Sequence, residues 1–252
     1  MRTRRLATVV LLAAGLVPLA VSTPSSAGPR DSGRLAVFAA ASLAEAFPKI
    51  NPRPHYSFAG SDQLAAQIQF GAQADVYAAA SPRYPELLFQ KGLVEKPFPF
   101  ATNTLVLIVP RSNPARIHSV TDLTRPGVRV VIGDPSVPVG SYTLTVLKNL
   151  GISDAVLENV VSREQDVKGV VGKVVTGEAD AGFVYVTDVR PVRGKVLAIA
   201  IRESAQPHVV YEVAVVKKSE HLRAAHRFVT ALIRPHAQKL LVASGFGRRP
   251  RP

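Results

Sequence analysis

Val37-Phe38-Ala39-Ala40-Ala41-Ser42-Leu43 decides the fold class. An apolar run with strand character ends on small residues, and a serine stands where a helical pattern begins. Three further stretches repeat the arrangement: Phe58-Ala59-Gly60-Ser61-Asp62, Pro138-Val139-Gly140-Ser141 and Glu164-Gln165-Asp166-Val167-Lys168. Strand-to-helix junctions recurring along a chain point to an α/β fold with mostly parallel sheets. In such folds ligands lie beyond the carboxyl ends of strands, where helices begin. A helix start carries free N–H groups and the positive end of the helix dipole. Several starts converging on one spot would bind an anion without a lysine or arginine.

Outward from these junctions, strand-like runs lie at 35–40, 55–58, 76–79, 105–109, 128–132, 182–185, 196–201 and 209–216. Helical patterns fall between them. The clearest spans 166–176, with Val167, Val170, Val171, Val174 and Val175 on one face and Gly177 as the stop. Others are expected at 63–70, 84–91, 143–150, 220–234 and 236–244. The runs at 105–109 and 209–216 lie far apart in sequence and suit paired crossovers between two lobes.

The 252 residues open with Arg2, Arg4 and Arg5, then an apolar run over 6–21, then Ser25-Ser26-Ala27. That order is a secretory signal peptide, with cleavage expected near Ala27. Gly15 and Pro18 interrupt the run, which is short for a membrane helix. The remaining chain is expected to be exported and soluble. It has no cysteine, hence no disulfide framework, no thiolate metal site, no cysteine nucleophile and no cysteine for a lipid anchor.

Lysine and arginine number 31 against 18 acids, a formal charge of +13. The basic residues are scattered, and only Arg248-Arg249-Pro250-Arg251 forms a run. Nucleic-acid binding is therefore not expected. The diffuse positive field either attracts small anions or merely keeps the surface solvated.

Catalytic signatures are missing: there is no HExxH, P-loop, GxGxxG or G-x-S-x-G pattern. His55, His118, His208, His221, His226 and His236 sit in mostly polar surroundings. Asp75 and Asp180 each precede an apolar strand, the place of a turn-capping acid more often than a functional one. No cofactor is expected.

The ordered set Val37–Leu43, Phe58-Ala59-Gly60-Ser61 and Gly71-Ala72-Gln73-Ala74-Asp75-Val76 resembles the periplasmic molybdate-binding proteins of ABC importers. Further matches are Asn103-Thr104-Leu105, Gly133-Asp134-Pro135, Pro138-Val139-Gly140 and Gly182-Phe183-Val184-Tyr185-Val186-Thr187-Asp188. The resemblance implies a two-lobed fold, each lobe a mainly parallel sheet flanked by helices, with a ligand cleft between them. The lobes would be 33–106 plus 212–252, and 107–211. It implies capture of molybdate or tungstate by a monomer that hands it to ABC permease subunits. Carried over residue by residue, the ligand would be held by the Ser42 and Ser61 hydroxyls, the Val139 and Val167 backbone N–H groups and the Tyr185 hydroxyl.

Each of these residues also has an ordinary reading. Ser42, Ser61 and Ser141 could be plain helix N-caps, and Tyr185 a core aromatic with a satisfied hydroxyl. Three departures from the family pattern bear on the cavity. The interval from Ser42 to Phe58 is short, Asp62 stands where a neutral residue is usual, and Val139 replaces a smaller one. Two other functions stay open: a receptor of the same fold for sulfate or another tetrahedral oxyanion, and an enzyme using the inter-lobe cleft.

Overall fold

The computed structural model describes residues 33–250, so the expected signal peptide at 1–27 lies outside the described residues. Among the described residues, ten strands form two five-stranded sheets. The first sheet has the order β2-β1-β3-β10-β4, built from β1 (Ala36–Ala40), β2 (His55–Ala59), β3 (Val76–Ala79), β4 (Phe98–Asn103) and β10 (Val209–Val215). The second has the order β7-β6-β8-β5-β9. Its strands are β5 (Leu105–Pro110), β6 (Val130–Gly133), β7 (Val160–Glu164), β8 (Ala181–Tyr185) and β9 (Val196–Ala200). In each sheet four strands run one way. The exceptions are β10, antiparallel to β3 and β4, and β5, antiparallel to β8 and β9.

The helices among the described residues are α1 (Phe47–Ile50), α2 (Ser61–Gln69), α3 (Arg83–Gln90), α4 (Pro138–Leu150) and α5 (Ser153–Leu157). They continue with α6 (Val167–Val175), α7 (Val186–Val189), α8 (Leu222–Leu232) and α9 (Pro235–Ala243). Side chains of a strand alternate between faces. Val37 and Ala39 of β1, with Val76 and Ala78 of β3, join the core that includes Phe228 and Leu232 of α8. Their neighbours Phe38, Tyr77 and Ala79 pack with Leu64 and Ile68 of α2 and Leu88 of α3. The first sheet is thus covered on both faces. Gly182 of β8 lies where a Cβ would come within 2.7 Å of Val170 and 2.9 Å of Val131, which lets α6 lie close on the second sheet.

The chain leaves the first sheet at Asn103 and enters the second at Leu105, returning with β10. Thus β5 belongs wholly to the second sheet and β10 wholly to the first. The chain passes between the sheets at Thr104 and again between Ala200 and Val209. At the crossing, Gln206 Nε2 donates to Leu105 O at 2.7 Å, and Leu105 N donates to Gln206 Oε1 at 3.2 Å.

Asp75 and Asp180 tie the fold together. Asp75 accepts from Ala36 N and from Ser219 Oγ, each at 2.6 Å, with His221 Nδ1 3.3 Å away. Asp180 accepts from Arg129 N and pairs with its guanidinium, both at 2.8 Å, and those bonds hold its carboxyl below the usual range despite partial burial. No group of three or more histidines, cysteines or acids among the described residues could hold a metal ion.

Candidate functional site

The segments that follow β1, β2 and β3 in the first sheet, and β6, β7 and the end of β8 in the second, meet at one place. These segments enclose a cavity lined by Ser42, Ser61, Val139, Val167 and Tyr185, the five residues expected from sequence. Its other lining residues include Gly60, Ala80, Pro138 and Asp166. The cavity is small, about 20 Å³.

Local sequence explains why each donor is free. Gly60 is the N-cap of α2 and lacks a side chain, so Ser61 is the first helical residue and its hydroxyl caps nothing. Ser61 Oγ accepts from Ala80 N at 3.1 Å, which leaves its own proton to donate. Ser42 lies in a short 3-10 turn, Ala41–Leu43, again with no side-chain cap. Pro138 opens α4 and has no N–H, so Val139 offers the first donor of that helix. Asp166 caps α6 by accepting from Lys168 N at 2.7 Å and Gly169 N at 3.0 Å. Val167 N, the remaining first-turn donor, is untouched by that cap. The plain N-cap reading of Ser42, Ser61 and Ser141 therefore fails, and Ser141 Oγ instead donates to Pro138 O inside α4.

Tyr185 ends β8 and is buried, yet its hydroxyl makes no hydrogen bond within the described residues. The reading of a satisfied core hydroxyl does not hold. Burial, reinforced by Tyr211, Tyr142 and Asp188, raises its pKa well above that of free tyrosine. It is a phenol at any physiological pH and can donate.

Asp62 does not line the cavity. Its Oδ2 faces Ser136 Oγ at 3.3 Å, while that hydroxyl also contacts Asp134 Oδ1 at 2.7 Å. The one carboxylate on the lining is Asp166, which sequence reasoning quoted but did not weigh as a cavity wall. Its Oδ1 is occupied by two backbone donors. No lysine, arginine or histidine lines the cavity among the described residues.

The cavity has walls from both sheets' helices, and contacts cross it. Gln63 Nε2 donates to Gln165 Oε1 at 2.8 Å, and Tyr84 OH donates to Ser136 O at 2.5 Å. Gly60 comes so close to Gln165 that an added Cβ would lie 2.4 Å from its carbonyl oxygen.

A sequence profile described as "Bacterial extracellular solute-binding protein" matches residues 35–247. The chain belongs to that family. Over 251 residues it is 41% identical to the "Molybdate-binding protein ModA" of Mycobacterium tuberculosis H37Rv, covering 94% of this chain and 95% of that one. It is 31% identical to the protein of the same name from Escherichia coli K12, over 86% of this chain and 90% of the other. Among solved structures, the periplasmic molybdate-binding protein of Azotobacter vinelandii superposes with a TM-score of 0.76. It shares 23% identity over 86% of this chain and 100% of that one, a likeness of fold.

Proposed function

We propose that this solute-binding protein captures molybdate or tungstate in the cavity between its two sheets and delivers it to the permease subunits of an ABC importer. The observation that carries the reading is the composition of the cavity wall. Three hydroxyls, at Ser42, Ser61 and Tyr185, and the N–H groups of Val139 and Val167 line a space with no cationic side chain among the described residues. Molybdate is a fully ionised tetrahedral dianion, an acceptor at every oxygen. Hydroxyls and N–H groups supply the donors it needs. Bonds to a charged acceptor contribute about 1.5–3 kcal/mol each, so several together offset the dehydration of the ion.

The names of the relatives support molybdate over sulfate. The chain acts by binding and release, as a monomer, and turns nothing over. The two sides close on the ion by bending at the crossings near Thr104 and Gln206, and the first 27 residues direct export. Calorimetric titration of the chain with molybdate, tungstate, sulfate and phosphate tests the reading. One-to-one binding of the first two, far tighter than of the others, is expected. Binding of sulfate alone, or of none, overturns it.

A further inference from the structure

Tyr211 of β10 lies outside the set of five, yet its hydroxyl is 2.7 Å from Ser42 Oγ. It is fully buried. On its other side Asn103, the last residue of β4, presents Nδ2 at 3.3 Å. The direction of these bonds can be worked out. Thr104 N is a backbone donor and meets Asn103 Oδ1 at 2.9 Å, so the atom facing away must be the amide nitrogen. That nitrogen donates one hydrogen to Thr187 Oγ1 at 3.0 Å and the other to Tyr211. The Tyr211 oxygen is therefore an acceptor from Asn103, and among the described residues the one acceptor for its own proton is Ser42 Oγ. Ser42 in turn accepts from Tyr211, which aims its single proton into the cavity. The opposite order would leave the Tyr211 proton buried without a partner, which is costly.

We infer that Asn103 and Tyr211 are positioning residues that lock Ser42 as a donor and thereby set selectivity against oxyanions that carry a proton. The inference rests on the oxyanion-binding reading above. A protonated anion such as hydrogen phosphate must donate to something. With its oxygen engaged by Tyr211 and its hydrogen directed at the ligand, Ser42 is a poor acceptor for that proton. Freed of Tyr211, it can turn and accept. The relay runs from Asn103 at the end of β4 through Tyr211 of β10, beside the crossing between sheets, to Ser42, so the donor geometry depends on strands outside Ser42's own junction.

The experiment is a set of titrations of wild type, Tyr211→Phe, Ser42→Ala and the double variant. Each is titrated with molybdate and with inorganic phosphate at about pH 8, where phosphate is a dianion that keeps one proton. The expectation is that Tyr211→Phe weakens molybdate roughly tenfold, the size of one charge-assisted hydrogen bond, and phosphate less. The molybdate-to-phosphate ratio then narrows. In the Ser42→Ala background the same substitution changes neither anion. A variant that lowers both affinities equally, leaves both unchanged, or acts as strongly without the Ser42 hydroxyl overturns the inference and leaves the functional reading standing. A wild-type chain that binds no molybdate overturns both. Should Tyr211→Phe fail to fold, Asn103→Asp reads the same ratio. Its carboxylate would accept the Tyr211 proton and reverse the relay, and its charge acts alike on two dianions. An unchanged ratio there refutes the assignment.

Discussion

Gly60→Ala isolates closure of the cleft from folding. The backbone of Gly60, φ −57° and ψ 139°, suits any residue, so alanine brings no local strain. What opposes it is the neighbour across the cleft. The new Cβ would lie 2.4 Å from Gln165 O, about 1 Å inside ordinary contact distance. Asp62 Oδ1, at 2.6 Å, is a side-chain end and can swing away, whereas the Gln165 carbonyl is backbone and cannot. The two walls must separate, and the donors from α2 and α6 no longer reach one ion together. Overpacking of this size costs about 1–3 kcal/mol, a loss of affinity of roughly five- to 150-fold. The assay is calorimetric titration with molybdate, alongside thermal unfolding without ligand. Affinity should fall while the ligand-free midpoint stays put. Gly172→Ala is the control, because a Cβ there meets nothing within 4 Å on an exposed face of α6. Wild-type affinity in Gly60→Ala would refute the closure argument.

Three further outcomes follow from the same geometry. Ser61→Ala removes a donor to the ion and leaves Ala80 N without its acceptor, so titration should show a loss of about 1–3 kcal/mol in binding and unfolding a smaller loss of stability. Tyr185→Phe should separate binding from folding. It removes a donor to the ion, so titration should show molybdate affinity falling by about 1–3 kcal/mol while the ligand-free melting midpoint changes little, because water serves the hydroxyl in the unliganded cavity. Burial raises the Asp188 carboxyl from 3.8 to about 6, against the pull of Lys168 Nζ at 3.2 Å. The unfolded chain then ionises first, so this group's contribution to stability is greatest below about pH 4 and is lost as pH rises toward 6. The stability of Asp188→Asn relative to wild type should therefore climb between about pH 4 and 6 and level off above, and a pH-independent difference in unfolding free energy would contradict it.

The junctions were legible because everything that makes them is local. A strand end, a small residue and a helix start lie within a few positions, and Ser42, Ser61, Val139, Val167 and Tyr185 all sit at such points. Strands β4 and β7 escaped notice for different reasons. Pro99 interrupts the pattern of β4, and β7 reads Val160-Val161-Ser162-Arg163-Glu164, more than half polar at an edge position in its sheet. Helix α4 begins at Pro138, not near 143, because proline and glycine look like a turn until the helix dipole end is needed there. Asn103 showed only as part of a family match and Tyr211 as part of a strand-like run, with nothing to say that they meet. They lie 108 residues apart and meet only because β4 and β10 pair beside the crossing. Asp62 looked like a threat to an anion, and only its turn toward Ser136 removes it from the cavity.

A crystal grown with molybdate, measured at the molybdenum absorption edge, tests the central claim most directly. The account predicts one anomalous peak, within hydrogen-bond reach of the Ser42, Ser61 and Tyr185 hydroxyls and the Val139 and Val167 nitrogens. A peak instead in the larger basic cavity lined by Lys239, Arg248 and Arg249, or no peak at all, would contradict it.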